Sequence, residues 1–155
     1  GDAASQSEHM SEADLDRGCG LLLGLAAGDR NGGPIQMALA LAESLATCRT
    51  HDPVAVLAAY HSWWSEGHGI DAWDTGPIAK QALRRAPSVR RVADIDFHAR
   101  ALDASLRGQT AGANAVHRVP PLALAAWLTD AELATQARQE SRLTHWSPIS
   151  QHTCA

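Results

Sequence analysis

The stretch GLLLGLAAGDRNGGPIQMALALAESL, over Gly20–Leu45, most constrains the fold of this chain. An apolar helical run, a short polar turn and a second run rich in Ala and Leu follow one another with almost no spacer. Gly28 suits the end of the first helix because glycine tolerates positive φ angles. Pro34 suits the first turn of the second helix because its missing N–H is not needed there. The pattern predicts helices over about 15–27 and 34–47, joined by a tight turn.

The rest of the chain also favours helices. Ala and Leu dominate, and no segment combines β-branched residues with clean alternation, so the sequence predicts an all-α fold. Further helices are expected near residues 53–64, 78–85, 94–106 and 130–143, with a last one starting at Pro148. The chain has 155 residues and 45% hydrophobic content, which is enough to bury one core.

Residues 1–9 lack periodicity and precede what looks like a natural start at Met10. We expect them to be an expression-tag remnant outside the fold. Residues 10–155 contain no repeat, low-complexity tract or linker. This part of the chain is therefore predicted to form a single helical domain.

Charge and cysteine content exclude several classes of partner. The formal net charge is −4, so no nucleic-acid partner is expected, because phosphate binding needs a basic face. The longest apolar run, 21–27, is far below the roughly 20 residues that cross a bilayer, so no membrane partner is expected. Three cysteines without a CxxC pair favour a reducing, cytoplasmic location. Cys19 and Cys48 lie in helical runs and are expected to be small buried hydrophobes.

Three ordered segments, over 20–45, 112–126 and 137–148, carry a resemblance to a known family, with a weaker fourth segment at Asp74. Together they resemble the ADP-ribosylglycohydrolases, which remove ADP-ribose from modified proteins and small molecules. The resemblance implies that family's compact orthogonal helical bundle, here truncated on its C-terminal side. It also implies a magnesium cofactor. However, the family's Thr-Asp-Asp motif, which usually precedes the helix near Met37, is absent, and so is its later Asp-rich motif, so the metal ligands are unknown.

The turn between the first two helices holds two candidate site residues, Asp29 and Asn31. Its glycines let the backbone approach a ligand, and N–H groups near a helix start bind anions. In the family this turn lies beside a dinuclear magnesium site. Without a metal, Asp29 would serve as the general base in hydrolysis of a glycosidic bond. The alternative is that the glycines serve tight packing only.

Asp74 is a further candidate for substrate binding. The segment Asp74-Thr75-Gly76 resembles the family's Asp-Ile-Gly segment, although Pro77 and Ile78 replace the polar residues that usually follow. Asp74 also precedes a helix that starts at a proline. It is therefore equally suited to cap that helix.

The segment from Gly112 to Leu122 resembles the loop with which relatives cradle the pyrophosphate of ADP-ribose. Gly112, Asn114 and Ala115 are the predicted contacts, because backbone N–H groups of small residues bind phosphate. Asn114 takes the place of the family's second glycine. Arg118 is predicted to bind phosphate through its guanidinium group, and a structural pair with an acidic side chain is the alternative.

His145 ends the segment Glu140-Ser141-Arg142-Leu143-Thr144-His145, which closely matches the family. There the Thr-His pair borders the ribose pocket. The imidazole is predicted to hydrogen-bond a ribose hydroxyl, and the alternative is a bond to a backbone group inside the core.

These observations leave three functions open. The first is a hydrolase that cleaves an N- or O-glycosidic bond at the ribose of ADP-ribose or a related riboside. Its partner would be ADP-ribose or an ADP-ribosylated substrate. The second is a non-catalytic relative that binds ADP-ribose or a nucleotide as a sensor or scaffold. The third is a helical module that forms a homodimer to replace missing core.

Overall fold

The protein is built from α-helices in the computed structural model, which describes residues 11–29, 32–66 and 76–155. The helices are α1 (Glu12–Gly28), α2 (Gly33–Cys48), α3 (Pro53–Ser65), α4 (Gly76–Arg85), α5 (Val92–Ser105), α6 (Asn114–Arg118), α7 (Asp130–Arg142) and α8 (Pro148–Cys154). Two short 3-10 segments, Ala86–Ser88 and Pro120–Leu124, follow α4 and α6. No strand occurs in the described residues, and the all-α prediction is confirmed. Within the same ranges, no helix combines the length and apolar character that a bilayer crossing requires.

Side-chain caps set two helix starts where the sequence predicts them. The Asp52 carboxylate accepts the N–H of Val54 at 2.9 Å and that of Ala55 at 3.2 Å. At α7, the Thr129 N–H donates to the Glu132 carboxylate at 2.8 Å, and the Glu132 N–H donates to Thr129 Oγ1 at 3.4 Å. Such caps provide acceptors for N–H groups that have no partner within the helix.

The turn between α1 and α2 depends on Asp29 and Gly32. The Asp29 N–H donates to the carbonyl of Leu25 at 3.0 Å and closes α1. Its carboxylate accepts the N–H of Gly32 at 2.9 Å and that of Ile35, in the first turn of α2, at 2.8 Å. Gly32 has a φ of 83°, a conformation that costs glycine little. One residue therefore ends the first helix through its backbone N–H and starts the next through its side chain.

The hydrophobic core is centred on α2. Met37 and Leu41 are completely buried, and Leu45 is 4% exposed, as their helical spacing predicts. α2 packs against both α3 and α6, and α7 packs against α8. The other large buried apolar side chains come from α3, α4, α5 and the segments around α7: Val56, Leu57, Leu83, Ile95, Leu102, Leu122 and Leu143.

α1 lies at the edge of this core. None of its residues is buried, and Leu23 is 70% exposed. Cys19 and Cys48 are also exposed, so the expectation that they are small buried hydrophobes is wrong. The expectation failed for Cys19 because the apolar residues of α1 follow one another directly and therefore lie all around the helix. Such a pattern predicts a helix but not which face packs.

Candidate functional site

A cavity of about 160 Å³ lies where the starts of α4 and α6 meet the segment that follows α7. It is lined by Gly76, Pro77, Ile78, Ala79, Gly112, Ala113, Asn114, His117 and His145. Three of the residues predicted to bind substrate, Gly112, Asn114 and His145, therefore lie in one place. Most of the lining is apolar, and the polar side chains come from Asn114, His117 and His145.

His145 forms the buried polar wall of the cavity. The residue is 2% exposed, and its Nδ1 lies 2.6 Å from Thr144 Oγ1. Burial and the positive charge of Arg118 lower the pKa of His145 to about 3, so its imidazole is neutral at neutral pH. Its other nitrogen lies against Gly112, because a Cβ at Gly112 would lie 2.7 Å from Nε2. Both residues line the cavity, so Nε2 lies at the place where they meet in its wall.

Helix α8 positions the segment that carries Gly112. The Ser147 N–H donates to Thr110 Oγ1 at 3.0 Å. The Ser150 hydroxyl lies 3.3 Å from the carbonyl of Gly112 and 3.5 Å from that of Thr110. The segment before α6 is thus attached to the first turn of α8, directly after His145.

Arg118 lies behind the cavity with no exposed surface. Its Nε donates to Glu140 Oε1 at 2.9 Å, and its Nη2 donates to the Glu140 carbonyl at 2.9 Å. Its Nη1 donates to Asn114 Oδ1 at 2.6 Å and to Thr144 Oγ1 at 2.8 Å. These contacts use four of the five guanidinium N–H groups.

Glu140 is the acidic partner of Arg118 and is also completely buried. Tyr60 donates to its Oε1 at 2.7 Å, and His51 Nε2 lies 3.2 Å from its Oε2. Burial raises the pKa of Glu140, but the charge of Arg118 and the contact with His51 outweigh it, and the net pKa lies below its usual value. The guanidinium of Arg118 also lies 5.2 Å from the centre of the Tyr60 ring. The pair is therefore ionised, and α3, α6 and α7 all contribute to it.

The comparison with protein families decides the family. A model of the family described as ADP-ribosylglycohydrolase matches residues 34–155, which is most of the chain. The chain belongs to the ADP-ribosylglycohydrolase family. The matched range contains α2 to α8 nearly in full and all the cavity-lining residues named above. No curated protein and no solved structure matches the chain.

Of the other predicted site residues, Asp29, Ala115 and Arg118 are not among the residues that line the cavity. Asp29 caps α2, and Ala115 is completely buried within α6. Arg118 makes the pair with an acidic side chain that was the alternative to phosphate binding. Asn31 and Asp74 lie outside the described residues.

The segment expected to be a phosphate-binding loop differs from that expectation. Residues 114–118 form α6, and 3-10 structure follows from Pro120. Inside a helix, the N–H groups beyond the first turn bond to carbonyls of the same helix. The His117 N–H, for example, donates to the Ala113 carbonyl at 3.1 Å. From His117 onward the backbone N–H groups are therefore used inside the helix, and within α6 only Asn114 and His117 line the cavity.

The described residues do not fit the dinuclear magnesium site of the family. None of them forms a group of three or more His, Cys, Asp or Glu side chains placed to hold a metal ion. Magnesium needs several hard oxygen ligands in octahedral geometry. Both oxygens of Asp29 already accept backbone N–H groups.

The sequence did not reveal the network around Glu140. A signal was available, because Ala137, Glu140 and Ser141 are spaced to share one face of α7, and all three are buried. A carboxylate among small residues on such a face predicts a buried partner, since an unpaired buried charge is costly. Tyr60 and His51, which are distant in sequence, had no comparable signal.

We expect substitution of Gly112 to disturb the cavity. In Gly112→Ala the new methyl group meets the His145 ring, which is buried and hydrogen-bonded and has little room to move. The free energy of unfolding should fall by about 1–3 kcal/mol, as in other overpacked sites. Gly24→Ala is the matched control, because nothing lies within 4 Å of its added Cβ. It should leave stability unchanged or raise it by up to about 1 kcal/mol. Equal urea midpoints for the two variants would contradict the close contact between Gly112 and the His145 ring.

Removal of the Arg118 charge should be strongly destabilising. Arg118→Met leaves Glu140 ionised and buried, and we expect a loss of about 3–5 kcal/mol in urea unfolding. Adding Glu140→Gln removes that charge and retains an acceptor for Tyr60, so the double variant should be more stable than Arg118→Met alone. A double-mutant cycle measures the coupling. Strict additivity of the two single losses would show that the unpaired charge is not the cause.

His145 should make stability depend on pH. The pKa of the folded state, about 3, is below the unfolded value of 6.5, so the unfolded chain takes up a proton first as pH falls. The free energy of unfolding should therefore decrease below about pH 6.5, by about 2 kcal/mol between pH 7 and 5 from this group. His145→Gln should lose that part of the pH dependence. Parallel pH profiles of stability for the two proteins would show that His145 does not cause this dependence.

Proposed function

We propose that this ADP-ribosylglycohydrolase binds one ribose of an ADP-ribosyl group in the cavity and hydrolyses the N- or O-glycosidic bond at that ribose. The family match supports the reaction class. The observation that carries the proposal is the meeting of Gly112, Asn114 and His145 in one cavity, with His145 Nε2 at its wall.

The size of the cavity supports a sugar as its occupant. The volume of the cavity is about 160 Å³. Pockets for drug-sized ligands are larger, at about 300–1,000 Å³. The volume therefore suits one ribose ring better than a whole ADP-ribose. The rest of the ligand would lie outside the cavity.

The polarity of the cavity supports an oxygen-rich ligand. The first turn of α4, from Gly76 to Ala79, lines it, and a helix start carries partial positive charge. The Asn114 side chain and the neutral imidazole of His145 add polar groups to apolar walls. Ribose hydroxyl and ether oxygens are the complementary groups.

The proposed reaction is attack of water at C1 of the ribose. A bond forms between the water oxygen and C1, and the bond from C1 to the acceptor nitrogen or oxygen breaks with its electron pair going to the acceptor. The acceptor takes a proton from solvent, which balances the proton that the attacking water loses. Asp29 is the proposed base that takes the proton of the attacking water. It does not line the cavity, so its role requires the bound ribose to place C1 and the water within hydrogen-bond reach of its carboxylate. Its carboxylate oxygens accept the backbone N–H groups of Gly32 and Ile35, at 2.9 and 2.8 Å.

Binding without catalysis is the second candidate. The hydrogen bonds of Asp29 favour this candidate. They bind its carboxylate to the start of α2 and stabilise the charged form, so the carboxylate takes up a proton less readily and is a weaker base. Such a protein would bind ADP-ribose as a sensor or scaffold. It would release no product.

The test begins with calorimetric titration of ADP-ribose with and without magnesium. Peptides that carry N- or O-linked ADP-ribose are then assayed for free ADP-ribose. We expect binding and turnover by the natural sequence, and a loss of turnover by about 10²–10⁴-fold in Asp29→Asn with binding retained. Asp52→Asn is the control, because Asp52 also caps a helix and does not line the cavity.

Each result separates the candidates. Binding without turnover would favour the sensor, and absence of binding would refute both. Unchanged turnover in Asp29→Asn would remove Asp29 as the base. Binding that requires magnesium would support the cofactor that the family resemblance implies. Urea unfolding of both variants shows whether a loss of turnover follows from a loss of fold.

A further inference from the structure

We propose that Arg118 and Thr144 are positioning residues that hold His145 with its proton on Nε2, so that the cavity presents a hydrogen-bond donor to its ligand. The inference follows from the order of contacts Glu140, Arg118, Thr144 and His145, each of which is buried.

The argument starts from the number of protons available. A guanidinium group only donates, so Thr144 Oγ1 is the acceptor in its 2.8 Å contact with Arg118 Nη1. The Thr144 hydroxyl has one proton of its own. The hydrogen-bonding group beside it is His145 Nδ1, at 2.6 Å. Thr144 therefore donates to Nδ1, which must be unprotonated.

The opposite arrangement leaves a buried group without a partner. If Nδ1 carried the proton, it would donate to Thr144 Oγ1, which would then accept from both sides. The hydroxyl proton of Thr144 would have no acceptor among the contacts of the described residues. Thr144 has no exposed surface, so water cannot replace that acceptor. An unsatisfied buried donor costs about 1–3 kcal/mol, which favours the proton on Nε2.

Glu140 prevents the guanidinium from turning away from Thr144. It binds Arg118 through its carboxylate and through its backbone carbonyl, both at 2.9 Å. Asn114 Oδ1 holds the same Nη1 from the other side at 2.6 Å. The nearby positive charge also opposes a second proton on the ring, and it is one reason why the pKa of His145 is lowered.

The consequence concerns the ligand. A neutral ring with the proton on Nε2 donates into the cavity and accepts nothing there. The group opposite it must be an acceptor, such as a hydroxyl, ether or phosphate oxygen, and an ammonium group is excluded. That this acceptor is a ribose oxygen rests on the proposed function.

Nitrogen-15 NMR of the histidine side chains tests the tautomer directly. The His145 signals are identified by their loss in His145→Gln. We expect the natural sequence to show a protonated Nε2 and an unprotonated Nδ1. Thr144→Val removes the donor to Nδ1 and should shift both signals towards a mixture of tautomers, whereas Thr144→Ser keeps the hydroxyl and should retain the natural pattern. A protonated Nδ1 in the natural sequence, or identical spectra for the Val and Ser variants, would overturn the proposal.

Titration with ADP-ribose tests the effect on binding. We expect Thr144→Val to weaken binding about five- to tenfold, the value of about one hydrogen bond, and Thr144→Ser to change it less than about twofold. Equal affinities would overturn the positioning role. If ADP-ribose does not bind but Nε2 is protonated, the proposed function fails and the positioning of His145 stands. If Thr144→Val does not fold, the spectrum of the natural sequence decides the tautomer alone.

Discussion

The ion pair between Arg118 and Glu140 is the interaction on which the rest of the structure depends. Both side chains are completely buried, and removing two charges from water costs several kcal/mol for each ion. That cost is offset only while the surrounding hydrogen bonds are all made. Their partners come from four places in the fold: His51, Tyr60, Asn114 and Thr144. The helices that carry these groups can therefore pack in few other ways.

The same guanidinium group connects the core to the cavity. On one side it holds the Asn114 side chain, whose Nδ2 lies 3.8 Å from the sulfur of Met37. On the other side it holds Thr144 and, through it, His145. Two polar side chains of the cavity, Asn114 and His145, are thus held in place by the buried Arg118, the second of them through Thr144. A change to this support alters stability and binding together, because a site is only as precise as the groups that hold its side chains.

The sequence predicted the helices better than the site. Caps such as Asp52 and Thr129 act locally, so their residue types suffice. The cavity combines Ile78, Gly112 and His145, which are distant along the chain, and only the family resemblance placed two of them at one site. Arg118 shows why the rest could not be predicted. α6 begins at Asn114, and in a helix the residue four positions later lies on the same face, which here is Arg118. The guanidinium group therefore points inward beside Asn114.

The close contact between Gly112 and His145 has a thermodynamic consequence for any ligand. With the Gly112 backbone against one edge and Thr144 at Nδ1, the imidazole has few rotamers in the free protein. Ordering a mobile side chain costs about 0.5–1.5 kcal/mol on binding, and a ligand of this cavity avoids that entropy loss. The same rigidity narrows the choice of ligand. The ring cannot swing to follow a poorly placed oxygen, so the cavity selects by position as well as by chemistry.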